Sequence, residues 1–214
     1  LYYQETGIKK EETNYIDGVQ EGLWTEWYED GQKRRERNFK DGERDSTWTT
    51  WYENGNKKFL ASYSDGKLNG KYIRWYEGGI IKELDGEYLN NKKHKKWIYW
   101  SKNGQKTEEI NYDNGVHHGS HIKWFGEKSD QHKKFHINYK DGKKDGDWHH
   151  WYPSGVDSLK ASYANGEKDG HWIWWRKNGL KDKEGFYKKE KKHGLWTIWN
   201  LSLIHISEPT RRYR

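Results

Sequence analysis

The chain has 214 residues, with 40 Lys and Arg against 33 Asp and Glu for a net charge of +7, and it contains no Cys. Without Cys there are no disulfides and no thiolate zinc sites, and no apolar run reaches the roughly 20 residues that a membrane-spanning helix needs. Sparse aliphatic residues would read as disorder on composition alone, but the 17% aromatic content, with 15 Trp, supplies roughly 150–250 Å² of buriable surface per large ring.

Fourteen of the Trp fall on a grid: Tyr-x-Asp/Asn-Gly-x-x-x-Gly-x-Trp-x-x-Trp-Tyr-x-x-Gly-x-Lys. Residues 1–14 read as the second half of a truncated repeat. Eight units follow over residues 15–200, opening at Tyr15, Phe39, Tyr63, Tyr88, Tyr112, Tyr139, Tyr163 and Tyr187. A fixed period of about 24 residues is the mark of a stacked array rather than a globule around one core. Asp17-Gly18 and its counterparts form one turn of each unit, and Asp30-Gly31 and its counterparts the other. Both suit two-residue type I′ hairpins. A third glycine (Gly22, Gly70, Gly119) falls inside a strand and predicts a bulge.

The expected fold is all-β: an elongated antiparallel meander of about eight stacked 24-residue hairpins in a single-layer twisted sheet. The position after the first Trp is β-branched in nearly every unit (Thr25, Ile73, Ile98). Parity places it with the second Trp column (Trp27, Trp51, Trp75, Trp100). That column and the opening Tyr are expected on the better-buried face, with the first Trp column half exposed on the other. Repeats four, five and eight depart from the pattern, with Asn90-Asn91 and Lys95, with His121 and an irregular Gly126–Lys134 loop, and with Lys189-Glu190. The array is expected to be less regular there. Residues 201–214 read as a non-native tail, the translation of a sequencing-library adaptor, with a native capping strand as the alternative.

These motifs make the chain resemble the MORN-repeat-variant family of bacterial proteins, whose repeat is Gly-x-Trp-x-x-Trp-Tyr-x-x-Gly-x-Lys followed by Tyr-x-Asp/Asn-Gly. The resemblance implies an elongated array of β-hairpins. Many members carry an antitoxin label, which implies a protein partner.

Candidate contacts for a partner are Trp97, Trp148 and Trp172 of the first column, the off-grid Trp174, and Tyr99. Exposed indoles could also stack on sugars or quaternary amines, and the opposing reading makes them the core. Two lysine clusters, Lys92, Lys93, Lys95 and Lys96 and then Lys188, Lys189, Lys191 and Lys192, could hold anions of a lipid or cell-surface glycan. The opposing reading is a solvated hairpin tip that discourages edge pairing. His117, His118 and His121 lack the spacing of a closed metal site. No nucleophile elbow, phosphate loop or repeat-independent carboxylate pair is present, so no enzyme and no cofactor are expected. The expected function is a non-catalytic scaffold for a protein partner, antitoxin-like on the family resemblance; the alternative is a module for anionic lipid or glycan. Nucleic acid is disfavoured. The compartment is not fixed: the cytoplasm is favoured, with envelope or secreted as the alternatives.

Overall fold

The structure is a computed structural model, and it describes residues 1–126 and 132–200. Its strands are β1 (Glu11–Ile16), β2 (Val19–Trp27), β3 (Lys33–Lys40), β4 (Glu43–Trp51), β5 (Lys57–Ser64), β6 (Lys67–Trp75), β7 (Lys82–Leu89), β8 (Lys92–Trp100), β9 (Lys106–Asp113), β10 (Val116–Trp124), β11 (Lys133–Lys140), β12 (Lys143–Trp151), β13 (Asp157–Ala164), β14 (Glu167–Lys168), β15 (Gly170–Trp175), β16 (Lys181–Lys188) and β17 (Lys191–Ile198). All belong to one antiparallel sheet in which neighbours in sequence are neighbours in space. β14 and β15 both pair with β13 and are one strand interrupted at Asp169. The all-β meander is therefore as the repeat grid requires. The adaptor reading of 201–214 lies outside the described residues, as does the middle of the Gly126–Lys134 loop.

The two turns of a unit differ, contrary to expectation. Asp17 and Gly18 both have positive φ, at 49° and 81°, as a type I′ turn requires. In the second turn only the glycine does, Gly31 at 87°. There Gly31 N donates to Tyr28 O at 3.0 Å and Tyr28 N to Gln32 O at 2.8 Å, which is a three-residue loop ending in a left-handed residue. Asp30 Oδ1 also accepts from Gln32 N at 2.9 Å. That local bond favours a type I start and removes the need for positive φ at Asp30.

Repeats four and eight, expected to be irregular, keep the same turn backbone. Asn90 and Asn91 have φ of 49° and 64°, and Lys189 and Glu190 have 50° and 65°. At the bulge, Lys95 at 57° replaces the glycine that reads 103° at Gly70. Neighbouring hairpins impose the geometry even where side chains resist it.

The face assignment is corrected. The opening aromatic packs with the first Trp column: ring centroids are 5.5 Å apart for Phe39 and Trp48, 5.0 Å for Tyr88 and Trp97, and 5.3 Å for Tyr163 and Trp172. Trp97 is 1% and Trp172 4% exposed, whereas Trp100 and Trp151 are only half-buried. The β-branched column suggested the opposite. What decides burial is the facing strand. Opposite the first column stand Ala61, Gly86, Ile110, Ile137, Ala161 and Gly185, most of them small enough for an indole to settle onto the backbone.

Repeats are riveted by one further bond. The hydroxyl of Tyr28 donates to Trp51 O at 2.9 Å, Tyr52 to Trp75 O, Tyr76 to Trp100 O and Tyr152 to Trp175 O, each of the last three at 2.8 Å. Each tyrosine thus ties its turn to the corresponding turn of the next repeat. Tyr152→Phe is expected to lower stability by about 0.5–1.5 kcal/mol, read by urea unfolding. A change indistinguishable from zero would show that the rivet contributes nothing.

Candidate binding face

Register gives the aromatic face a row of side chains that crosses the sheet. Glu26 stands opposite Arg35, Arg35 opposite Thr50, Thr50 opposite Phe59, and Phe59 opposite Arg74. The row then turns apolar through Leu84 and Tyr99. Beside it runs the first Trp column. A periodic cation, missed in the sequence, covers that column. It falls five residues after the opening aromatic, at Arg44, Lys93, Lys144, Lys168 and Lys192, with His117 in the same place. Lys144 Nζ is 4.0 Å from the Trp148 centroid and 5.0 Å from Tyr163. Lys93 Nζ is 4.3 Å from Trp97 and 5.1 Å from Tyr112. Lys192 is 4.4 Å from Trp196. Each contact is worth about 0.5–2 kcal/mol depending on desolvation. Burial pushes the Lys144 ammonium down from its ordinary pKa. The constant offset could have revealed this column, but lysine runs in turns read as solvated charge. Its consequence is chemical: the protein's own cations already occupy ring faces that a quaternary amine or sugar would need.

The expected contact residues separate accordingly. Trp97 and Trp172 are buried and present no surface to a partner, which corrects their reading as contacts. Trp148 and Trp174 are half-buried against the cluster of Ala161, Tyr163 and Trp172. Tyr99 is half-buried and its hydroxyl accepts from Lys93 Nζ at 3.0 Å; burial, then Glu108, raises its pKa. The first lysine cluster is not a free basic patch. Lys93 lies over Trp97, Lys95 pairs with Glu87 at 2.8 Å and Lys96 reaches Glu109 at 3.7 Å, while Lys92 is exposed. In the second cluster Lys192 stacks on Trp196, and Lys188, Lys189 and Lys191 are exposed. The two clusters lie on β8 and on β16–β17, far apart in the strand order, and do not merge.

Histidines interrupt the aromatic column at β10–β12. His117 and His121 centroids are 5.4 Å apart, His121 packs on Phe135 at 4.9 Å, and His150 packs on Trp148 at 4.9 Å. Among the described residues no group of three His, Cys, Asp or Glu is arranged to hold a metal. Burial is the largest cause lowering the pKa of His117, His136, His149 and His150 from the ordinary 6.5. The unfolded chain therefore binds more protons than the folded one as pH falls below 6.5. Stability contributed by the neutral rings is present above that value and is lost as pH falls through the lowered folded values. The melting temperature is expected to drop between pH 7.5 and 5, and less so in a His117→Phe/His150→Phe variant. Equal drops in both proteins would exclude these rings as the cause.

One groove, of about 680 Å³, opens on the aromatic face across β3–β6. Five cations line it, Arg34, Arg35, Arg37, Lys58 and Arg74, against the carboxylates of Glu53 and Glu83. Glu26 beneath the rim holds Arg34 at 2.9 Å and Arg35 at 3.2 Å. Arg74 is clamped by Glu83, with Nε donating to Oε2 at 3.0 Å. Lys58 Nζ lies 5.1 Å over the Tyr52 ring, and Phe59, Tyr28 and Tyr52 supply aromatic wall. The sequence does not single out this groove, because Thr50, Phe59 and Arg74 join the arginines of β3 only through the register of four strands.

Comparison with known proteins fits this architecture. Residues 20–41, 44–65 and 93–114 match the family model of the MORN repeat variant. Each match ends in the next repeat's first turn, and two of the three begin at a cation of the covering column, Arg44 and Lys93, where the first has Gln20. No curated protein matches the chain.

Proposed function

We propose that this repeat array is a non-catalytic scaffold that binds a protein partner through its aromatic face. The observation that carries the reading is the β3–β6 groove. It combines aromatic wall, an excess of cations and an open approach, as protein-binding surfaces do, and it converges no acid, base and nucleophile. The recurrent acids elsewhere are explained by turns. The narrower form, drawn from the family resemblance, is a toxin-neutralising partner.

The reading of the lysines as a lipid or glycan site has less support. Lys93, Lys95 and Lys96 are engaged within the protein, and the covered rings leave little stacking surface. The test is retention by the purified, immobilised chain. A protein bound saturably from an extract of the source organism, and still bound in moderate salt, is the expected result. Binding only to anionic vesicles or glycans would contradict it.

A further inference from the structure

A repeat array makes departures visible. Positions that the fold needs recur in every unit, whereas a residue that serves a ligand need not. Two residues before the opening aromatic, later repeats carry Ala61, Gly86, Ile110, Ile137, Ala161 and Gly185; the second carries Arg37. A guanidinium in a column of Ala, Gly and Ile is not required by the array.

Its geometry is that of a held but unused fork. Arg37 Cζ lies 4.3 Å from the Trp24 centroid and 4.9 Å from Trp48. Stacking engages the flat faces of a guanidinium and leaves its N–H edges free. Its neighbours Arg34 and Arg35 share Glu26, and Arg74 has Glu83. Arg37 and Lys58 have no ion-pair partner among the described residues. Burial, then the nearby Arg35, pushes the Arg37 pKa down, against the pull of Glu26, which Arg34 and Arg35 already engage.

We infer that the β3–β6 groove takes an extended acidic segment of the protein partner, with a carboxylate on the free edge of Arg37. The inference rests on the scaffold reading and names its ligand chemistry. The planar fork suits a carboxylate, which it can grip with two parallel bonds. The row from Arg35 through Thr50 and Phe59 to Arg74 spans three strand spacings, about 14 Å. Residues i and i+4 of an extended peptide are about 13–14 Å apart. Acidic residues at those positions reach the Arg35–Arg37 end and the Arg74 end, and an apolar residue between them rests on Phe59. A phosphate dianion fits less well, because Glu53 and Glu83 line the same groove and repel concentrated negative charge more than single spaced carboxylates.

The probe is a fluorescein-labelled peptide, Gly-Ser-Glu-Ser-Leu-Ser-Glu-Ser-Gly, titrated with the full chain by anisotropy. Its counterpart with Gln for both Glu is the control. Arg37→Met, which keeps the stacked stem, is expected to weaken binding by about tenfold or more, the loss of one charge-assisted pair. Arg37→Lys keeps the charge without the fork and serves should the Met variant fail to fold; it is expected to lose most of the affinity. Lys144→Met removes a stacked cation elsewhere on the same face and is expected to leave binding unchanged. Equal losses for Arg37→Met and Lys144→Met would reduce the effect to general positive charge and overturn the assignment. So would equal binding of the Gln peptide, no binding of the acidic peptide, or Arg37-dependent binding to phosphatidylserine vesicles in its place. If the peptide fails while the chain still retains a protein from extract, this inference falls and the scaffold reading stands.

Discussion

Trp97→Ala is expected to destabilise the array by about 3–5 kcal/mol, as large-to-small changes at fully buried aromatic sites do, while Trp100→Ala costs clearly less. Trp97 is 1% exposed. Its indole Nε1 donates to Glu87 O at 3.1 Å, and it touches the rings of Tyr72, Tyr88, Tyr99 and Tyr112. Trp100 stands on the other face and is half-buried. Urea unfolding of the two variants checks this. Equal costs, or the reverse order, would mean that the first column is not the core.

The second large effect comes from a residue with no side chain. A Cβ placed on Gly86 would stand 2.3 Å from Cδ2 and 2.4 Å from Cε2 of Trp97. Gly86 does not have positive φ, so alanine there is not strained by its backbone. The whole penalty of Gly86→Ala is steric and falls on one indole. The expected cost is about 1–3 kcal/mol, the usual range for overpacking, rising toward that of Trp97→Ala if the ring is expelled. In a Trp97→Ala background the same substitution is expected to be nearly neutral, because the clash has been removed. Additive costs in a double-mutant cycle would show that Gly86 acts through something other than Trp97.

Both expectations turn on what was legible in the sequence. The strands, their order and the type I′ turns follow from the spacing of Trp and Asp/Asn-Gly. Each unit repeats a local solution, and nearest-neighbour pairing needs no long-range information. The faces are not legible in the sequence, because the chemistry of a column leaves out the strand opposite. Ile73 and Ile98 look like core, but an indole over Gly86 is buried more deeply. The second turn is ambiguous in the sequence because Asp-Gly fits two hairpin types, and the bond from Gln32 N to Asp30 selects between them. The groove was not legible at all. Arg35, Thr50, Phe59 and Arg74 come into line only through the register of four strands. What the sequence did hold, unused, was the departure of Arg37 from a column of small apolar residues.

The same register makes the central claim a matter of shape: the described residues form an open, one-layer sheet that grows by one strand at a time, with no second layer among them to close it. Strands stacked at about 4.8 Å make an array roughly 75–80 Å long, with a radius of gyration near 22 Å for a uniform rod, against about 16–17 Å for a compact chain of this size. Small-angle X-ray scattering of the monomeric protein measures this directly. A radius near 22 Å with an elongated distance distribution is the predicted result. A value of 16–17 Å would contradict the open array, and with it the exposed β3–β6 groove on which the functional reading depends.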